Sequence, residues 1–273
     1  MRIAIQGFTG SFHAIAAEKY FGSGHELIMC DSFPNLFKSL NLGEADCAVM
    51  AIENTIAGTI LFNYALLRNS PFTITGETFL RIEHCLLALP GQGINDIKEV
   101  RSHPMALMQC MQFFSKYPHI KLIEDIDTAY MAELIAKNET QGVAAIAGEG
   151  VAKRFGLQIL KYNIEDSERN FTRFLIIENR NSGQINEKTI NKASICFSLP
   201  HQIGALKNVI TELTERKINI MTFQSTPYVG NEWEYFFYTD IEFDEYNLYK
   251  SAIKNLEPLT INLKILGQYK KGI

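Results

Sequence analysis

The sequence lacks cysteine pairs, basic runs and long apolar stretches, and each absence excludes a class of protein. Its five cysteines form no C-x-x-C pair and do not cluster with its six histidines, which argues against a disulfide framework or a metal site and favours reduced thiols in the cytoplasm. Its net charge is −4 and no Lys/Arg-rich run is present, so no nucleic-acid partner is expected. No stretch approaches the ~20 apolar residues of a transmembrane helix, so neither a signal peptide nor a membrane partner is predicted.

The glycine-containing turn GFTGSF, residues 7–12, lacks the features of the common nucleotide-binding loops. Neither GKS nor GKT follows it and the full G-x-G-x-x-G pattern is missing, which argues against a Walker loop and a dinucleotide-dependent dehydrogenase. Because the turn stands between a predicted strand and a predicted helix, Thr9, Gly10 and Ser11 would offer N–H groups and hydroxyls to a carboxylate or phosphate. The alternative is a glycine turn with a serine cap.

What the sequence does contain is an alternation of short strands and helices, enough for roughly two domains in 273 residues. Such an alternation indicates βαβ units and a mainly parallel sheet. The predicted strands cover residues 1–6, 27–30, 47–53, 72–89 (as one strand or two), about 142–147 and 171–178. The predicted helices cover residues 12–21, a segment after an Asp31/Ser32 cap, about 58–68, 104–117, 128–137 and 151–156.

The last third of the chain has a different pattern. Residues 180–191 are polar and without a hydrophobic period, as in a linker. Beyond them we predict strand 193–199, helix 204–216, strands 218–226 and 233–243, helix 245–255 and strand 260–268. This βαββαβ order is typical of a ferredoxin-like unit.

The segment IENTIAG, residues 52–58, directly follows a buried strand. Ligands of open α/β sheets bind beyond the carboxyl ends of strands, where Asn54 and Thr55 supply an amide and a hydroxyl. The alternative is that both residues cap the next helix. In SHPMALMQC, Ser102 and His103 precede a helix, but a lone histidine is more often structural than catalytic.

The segment NFTRF, residues 170–174, places polar groups at the start of an apolar strand. Successive side chains of a strand alternate between faces, so Asn170, Thr172 and Phe174 should share one face and Arg173 the other. Burying a lone guanidinium is costly. Arg173 should therefore either pair with a carboxylate of the fold or face an anionic substrate.

Taken together, the segments GFTGSFH, ENTIAG, SHPMALMQC, the Thr128–Ala129 helix start, AAIAGEGVAKRFGL and NFTRF resemble the prephenate dehydratase family in their order along the chain. GALK and INIMTFQSTP resemble the loops of an ACT regulatory domain. Some positions depart from the family pattern: Phe8, Ser11, His13, Thr55, Ile203, Gln224 and Thr226.

The resemblance implies an α/β fold with a two-lobed catalytic domain similar to type II periplasmic binding proteins, followed by a ferredoxin-like ACT domain. The catalytic domain would span 1–180, with lobe 1 at about 1–80 plus 166–180 and lobe 2 at about 81–165, and the ACT domain would span 192–273. The implied reaction is decarboxylating dehydration of prephenate to phenylpyruvate, CO2 and water in L-phenylalanine biosynthesis. It requires neither a redox cofactor nor a metal.

The resemblance also assigns roles to residues. Thr172 would donate a hydrogen bond or proton to the departing hydroxyl. Substrate would be bound by Arg173, Asn170, Phe174, Asn54, Thr55, Thr9, Gly10, Ser11, Ser102, His103 and Thr128. The allosteric effector L-phenylalanine would be bound by Gly204, Ala205, Leu206, Asn219, Gln224, Ser225, Thr226 and Pro227.

Two other functions stay open at this point. Arogenate dehydratase acts on the amino analogue of prephenate, and the site residues do not separate the two substrates. A non-catalytic amino-acid-sensing ACT protein would bind without turnover. Because ACT domains usually pair, the resemblance implies a homodimer or homotetramer.

Overall fold

The computed structural model describes residues 1–179, 187–227 and 235–272. The strands of these residues are β1 (Arg2–Gln6), β2 (Glu26–Cys30), β3 (Cys47–Asn54), β4 (Gly58–Thr59), β5 (Phe72–Arg81), β6 (Cys85–Ala88), β7 (Glu99–Ser102), β8 (Lys121–Glu124), β9 (Val143–Ala147), β10 (Gln158–Lys161), β11 (Phe171–Asn179), β12 (Lys192–Ser198), β13 (Asn219–Pro227), β14 (Tyr235–Glu242) and β15 (Ile261–Tyr269). Their α-helices are α1 (Phe12–Phe21), α2 (Phe33–Asn41), α3 (Leu61–Arg68), α4 (Pro104–Met108), α5 (Met111–Phe114), α6 (Thr128–Lys137), α7 (Glu149–Phe155), α8 (Ala205–Glu215) and α9 (Tyr246–Leu256).

The chain divides into two compact units. Unit 1 comprises Met1–Thr59 and Thr78–Phe174, and unit 2 comprises Ile60–Glu77 and Leu175–Ile273. The polypeptide passes from one unit to the other within β5 and within β11. The predicted division into domains 1–180 and 192–273 stays a prediction.

Unit 1 contains strands of two sheets, which makes it a mixed α/β structure. In the first sheet β1 pairs in parallel with β2 and β3, and β11 lies beside β3. The second sheet has the order β10-β6-β9-β7-β8, with β7 parallel to both of its neighbours. Residues 47–52 of β3 are all buried, as expected of a strand covered on both faces.

Helix ends in unit 1 follow local capping rules. Ser11 Oγ accepts a hydrogen bond from Ala14 N at the start of α1, and the helix ends at Gly22 with φ +85°. Asp127 accepts from two backbone N–H groups at the start of α6. A serine or aspartate cap and a glycine with positive φ after the last turn are readable from sequence, and the predicted bounds 12–21 and 128–137 are confirmed.

Unit 2 contains β12, α8, β13, β14, α9 and β15 in that order, which is the βαββαβ order predicted from the sequence. Its sheet has the order β13-β14-β12-β15, and these neighbours are antiparallel. β5 pairs with β15 in parallel where Gly267 meets Ile74. A Cβ at Gly267 would overlap the Ile74 carbonyl oxygen, so this close approach requires glycine.

Helix α3 belongs to unit 2. The Arg68 guanidinium lies 4.0 Å from the centre of the Phe236 ring, a cation–π contact. Lys264 Nζ donates to the carbonyl oxygens of Arg68 and Ser70 at 2.5 and 2.8 Å. These contacts attach the C-terminal end of the helix to β14 and β15.

Several predicted elements have different bounds in the structure. The helix expected from about 58 begins at Leu61 after β4, because Gly58 has a φ of +80° that a right-handed helix does not accommodate. The segment 104–117 forms two short helices, α4 and α5, which are separated at Gln109 and the fully buried Cys110. Here tertiary contacts override helix propensity.

The remaining differences concern short or undescribed segments. Residues 72–89 form two strands, and β4, β7, β8 and β10 were missed because four residues or fewer show no reliable period. Ser32 donates to Asp31 Oδ1 and makes no capping hydrogen bond to α2. Residues 180–186 of the predicted linker 180–191 lie outside the described residues. So do residues 233 and 234 of the predicted strand 233–243. No helix of the described segments is long and apolar enough to cross a membrane.

Candidate active site

Three neutral polar side chains converge where β3 ends and β11 begins. Asn54, the last residue of β3, donates from Nδ2 to Asn170 Oδ1 at 2.8 Å and to Thr172 Oγ1 at 2.9 Å. Asn170 is fully buried and Thr172 is 9% exposed. Asn170 and Thr172 therefore face the same neighbour, as the alternation of side chains along an extended segment predicted.

Two backbone donors fix the orientation of the Asn54 amide. Ile56 N and Ala57 N both donate to Asn54 Oδ1 at 2.9 Å, and a backbone N–H can act only as a donor. The Nδ2 group therefore faces Thr172 Oγ1 and also the Phe171 carbonyl at 3.1 Å. Because an amide NH2 group can only donate, Thr172 Oγ1 is the acceptor in its contact. A hydroxyl has a single proton, so the proton of Thr172 stays available for another acceptor.

Gln109, which the sequence analysis missed, extends this network. Its Nε2 donates to Asn54 Oδ1 at 3.3 Å, and its Oε1 accepts from Asn170 Nδ2 at 2.9 Å. A buried amide with partners on both of its polar atoms is held in one orientation. The residue stands within SHPMALMQC, but only the fold turns it towards Asn54.

Arg173 points away from this network. Its Nη1 lies 3.1 Å from Glu53 Oε1, and the Arg173 side chain is 2% exposed. A guanidinium at this depth requires a carboxylate partner, so the contact supports the first sequence-based interpretation, in which Arg173 pairs within the fold. Phe174 is 1% exposed and packs edge-on against the His13 ring, with the ring centres 5.0 Å apart.

The Thr55 hydroxyl is engaged by the backbone of the segment that leads into β11. It donates to the Arg169 carbonyl at 2.6 Å and accepts from Phe171 N at 2.9 Å. It therefore joins the end of β3 to the start of β11. The alternative that Asn54 and Thr55 cap the next helix is wrong, since the residue at the N-cap of α3 is Ile60.

The Gly7–Ser11 turn lies against the start of α6. The Phe8 ring stacks on Tyr130 with the ring centres 4.7 Å apart. A Cβ at Gly7, which has φ +96°, would lie 3.0 Å from Asp127 Oδ2. The N-terminal ends of α1 and α6 are thereby neighbours, and burial raises the pKa of the Asp127 carboxyl.

The other predicted residues of this region have varied surroundings. Ser11 caps α1, Thr128 is the first residue of α6, and the Thr9 hydroxyl lies 3.4 Å from Met29 Sδ. Thr9 and Gly10 line a cavity of about 370 Å³ that α1, Leu27 and Arg154 also border. Of these residues, Ser11 and Thr128 are the buried ones.

Ser102 and His103 make their hydrogen bonds to backbone groups. Ser102 Oγ donates to the Ile146 carbonyl at 2.9 Å and is fully buried. His103 Nδ1 accepts from Met105 N at 3.2 Å at the start of α4. Burial lowers the pKa of His103, which favours the neutral acceptor form seen here.

The predicted effector residues fall at the two opposite ends of the strands in the unit 2 sheet. Gln224–Pro227 form the end of β13. Thr226 of β13 and Ser198 of β12 both lie opposite Phe236 of β14, so the ends of β13 and β12 lie at the same end of the sheet. The loop that starts α8 with Gly204, Ala205 and Leu206 follows β12. Asn219 begins β13 and lies about 16 Å from Gln224 along the strand, at roughly 3.3 Å per residue.

We expect His13 to make stability depend on pH. Its Nε2 accepts from Ala51 N at 3.2 Å, and burial lowers its pKa from 6.5 to about 3. The unfolded chain therefore binds a proton below about 6.5 that the folded chain does not, so the free energy of unfolding falls as pH falls from about 6.5 to about 3, by at most about 1.4 kcal/mol per pH unit for this group.

Urea unfolding at pH 7 and pH 5 measures this effect. The matched variant is His13→Gln, whose amide oxygen can accept from Ala51 N but does not titrate. We expect a smaller loss of stability between the two pH values in the variant. An equal loss in both proteins would contradict the assignment.

Among the residues that the structure describes, no group of three or more His, Cys, Asp and Glu side chains is placed to hold a metal ion. Fold and site together are those of an α/β protein in which amide side chains surround one threonine where β3 ends and β11 begins.

The comparisons with known proteins give the family. The prephenate dehydratase family model matches residues 3–182. The bifunctional chorismate mutase/prephenate dehydratase of Escherichia coli (strain K12) is 33% identical over 98% of this chain and 70% of its own length. The arogenate dehydratase/prephenate dehydratase 2 of Arabidopsis thaliana, a chloroplastic protein, is 34% identical over 98% of this chain and 72% of its own. The chain belongs to the prephenate dehydratase family.

Solved structures agree with this fold over the full chain. GqqA, described as a novel type of quorum quenching acylase, has a TM-score of 0.88 and 28% identity, covering 99% of this chain and 98% of its own. The prephenate dehydratase of Arthrobacter aurescens in complex with L-Phe has a TM-score of 0.86 and 24% identity, covering 99% of this chain and 90% of its own. At 24% identity, the likeness to the Arthrobacter aurescens protein shows a shared fold and nothing more.

Proposed function

We propose that the protein converts prephenate to phenylpyruvate, CO2 and water in the biosynthesis of L-phenylalanine. Family membership supports this reaction, and one observation of the site carries the mechanism. Asn54 Nδ2 donates to Thr172 Oγ1 at 2.9 Å, so the Thr172 proton is directed to a further acceptor. The departing ring hydroxyl of prephenate is such an acceptor.

The reaction needs one proton and no redox step. The bond between the ring and its carboxylate breaks, and its electron pair enters the ring as CO2 leaves. The carbon–oxygen bond of the ring hydroxyl breaks with its electron pair on oxygen, and a proton supplied by solvent converts the departing hydroxide to water. A threonine hydroxyl is a weak acid, so Thr172 acts by hydrogen bonding to the leaving oxygen, and the positioning of the substrate supplies much of the rate.

The amides and the ion pair hold this geometry. Asn54 donates to Thr172 Oγ1 and is itself held by Asn170, and the Arg173–Glu53 pair anchors the next residue of β11 on the other face. The proposed contacts to the two substrate carboxylates are Ser11 and Thr128 at the starts of α1 and α6. The first turn of α1 favours an anion, whereas at α6 Asp127 already accepts from two backbone N–H groups, so Thr128 would contact the substrate through its hydroxyl. Thr9, Gly10, Ser102 and His103 complete the proposed substrate wall.

We propose that residues 192–273 form an ACT domain that binds L-phenylalanine. The βαββαβ order of unit 2 supports this assignment. Asn219 and Gln224 are about 16 Å apart along β13, too far for one phenylalanine to contact both in one chain. This separation supports a homodimer in which two copies complete the effector site, and a monomer in sedimentation at micromolar concentration would contradict it.

We place the protein in the cytoplasm, since its five buried cysteines are all unpaired.

The test of the proposed function is the turnover of prephenate by the purified protein, followed as phenylpyruvate absorbance. We expect turnover of prephenate to exceed that of arogenate, and L-phenylalanine but not D-phenylalanine to inhibit it. Higher kcat/KM for arogenate would make the protein an arogenate dehydratase, as in the name of the Arabidopsis thaliana relative. L-phenylalanine binding in calorimetry without turnover of either substrate would make it an amino-acid sensor.

A further inference from the structure

His84 contacts the amide network of the candidate active site at Gln109, whereas Thr172 contacts it at Asn54. The residue lies between β5 and β6, and its side chain is 2% exposed. Its Nε2 lies 2.9 Å from Gln109 Oε1. The same oxygen accepts from Asn170 Nδ2 at 2.9 Å, so His84 is linked to Asn170 through one atom of Gln109.

The hydrogen bonds of the network determine which imidazole nitrogen carries the proton. The Asn54 oxygen is identified by its two backbone donors, so Gln109 must present its Nε2 to Asn54 and its Oε1 to His84. A carbonyl oxygen accepts only, and the proton of His84 is therefore on Nε2. Burial lowers the pKa of His84, which favours the neutral ring, and in that form Nδ1 carries a bare lone pair.

The other imidazole nitrogen of His84, Nδ1, is buried and has no hydrogen-bond partner among the described residues. A buried polar atom without a partner lowers the stability of the fold. The opposite tautomer would place a lone pair of Nε2 against the lone pairs of Gln109 Oε1. The fold thus keeps the hydrogen bond from Nε2 to Gln109 and leaves Nδ1 without a partner among the described residues.

We propose that His84 is a positioning residue for the dehydration reaction proposed above, acting by donating from Nε2 to Gln109. A flip of the Gln109 amide would bring its NH2 group against both the His84 N–H and the Asn170 NH2. With His84 in place, Gln109 keeps its Nε2 towards Asn54 and its Oε1 towards Asn170. The two amides beside Thr172, of which Asn54 is already oriented by its backbone donors, are thereby held in position. This inference rests on the proposed function.

The backbone of His84 is held independently of its imidazole. Its N–H donates to Glu165 Oε2 at 2.9 Å, and its carbonyl accepts from Ile164 N at 3.0 Å. Phe12 contacts the imidazole edge-on, with the ring centres 5.5 Å apart. Substitutions at this position therefore alter the donor while two backbone hydrogen bonds keep the chain in place.

The experiment compares three variants of the full chain in the prephenate assay. His84→Gln places an amide nitrogen near the position of Nε2, His84→Asn places one near Nδ1, and His84→Leu has no donor. We expect kcat to fall roughly 10- to 100-fold in the Asn and Leu variants with KM changed much less, and the Gln variant to regain most of the loss. Thermal unfolding shows whether each variant is folded.

A second measurement does not depend on activity. The ¹⁵N chemical shifts of His84 in the labelled wild-type protein distinguish Nε2–H from Nδ1–H, and we expect Nε2–H. The Nδ1–H tautomer would overturn the proposal, and so would near-wild-type kcat in the Asn and Leu variants or a Gln variant as slow as Leu. Absence of prephenate turnover by wild-type protein would instead overturn the proposed function.

Discussion

Replacement of Thr172 by valine is expected to lower kcat for prephenate by roughly 10²- to 10³-fold, the usual cost of removing one positioned hydrogen-bond donor to an oxygen that gains negative charge. Valine keeps the shape of threonine but has no O–H group for the leaving hydroxyl. Thr172 lies 2.9 Å from the Asn54 amide nitrogen and is 9% exposed, so water cannot easily take the place of the lost hydroxyl. The measurement is phenylpyruvate formation at saturating prephenate, with KM determined in parallel.

Two further variants make the result specific. Thr172→Ser retains the hydroxyl and is expected to retain most of the activity. Thr73→Val removes another threonine hydroxyl, one that donates to the Leu266 carbonyl at 3.0 Å in unit 2, and is expected to leave kcat unchanged. A Thr172→Val enzyme within tenfold of wild type would show that Thr172 has no part in the loss of the hydroxyl.

Replacement of Lys192 by methionine is expected to lower the free energy of unfolding by about 3–5 kcal/mol, the range for breaking a buried ion pair. Lys192 Nζ lies 3.0 Å from Glu77 Oε1, and the two side chains are 5% and 0% exposed. The variant leaves the Glu77 carboxylate buried without its ammonium partner. Urea unfolding at neutral pH measures the change.

The same region supplies the controls. Lys271 Nζ pairs with Glu242 Oε2 at 2.8 Å, but its side chain is 48% exposed, so Lys271→Met should have little effect on stability. The double variant Lys192→Met/Glu77→Met removes both buried charges and should recover much of the loss. If Lys192→Met and Lys271→Met were equally mild, the Lys192–Glu77 pair would not be a stabilising contact of unit 2.

The sequence predicted those features that depend on neighbouring residues. The bounds of α1 and α6 follow from caps and helix formers within a few positions, and the βαββαβ order of unit 2 follows from local periods. The two-residue period of an extended segment also placed Asn170 and Thr172 on one face and Arg173 on the other. The ordered motifs led to the family before any contact was known.

Only the tertiary structure decided how these residues act together. Asn54 makes hydrogen bonds to Gln109, which is 55 positions further along the chain, and to Thr172, which is 118 positions further. No local period reports such contacts, which is why the places of Gln109 and His84 in the network and the contacts of the Thr55 hydroxyl with the backbone before β11 were not predicted. The orientation of each amide depends on which donors surround it in space. Sequence thus determined the elements and the family, whereas the direction of the Thr172 proton was determined by packing, because hydrogen-bond polarity is a property of the assembled network.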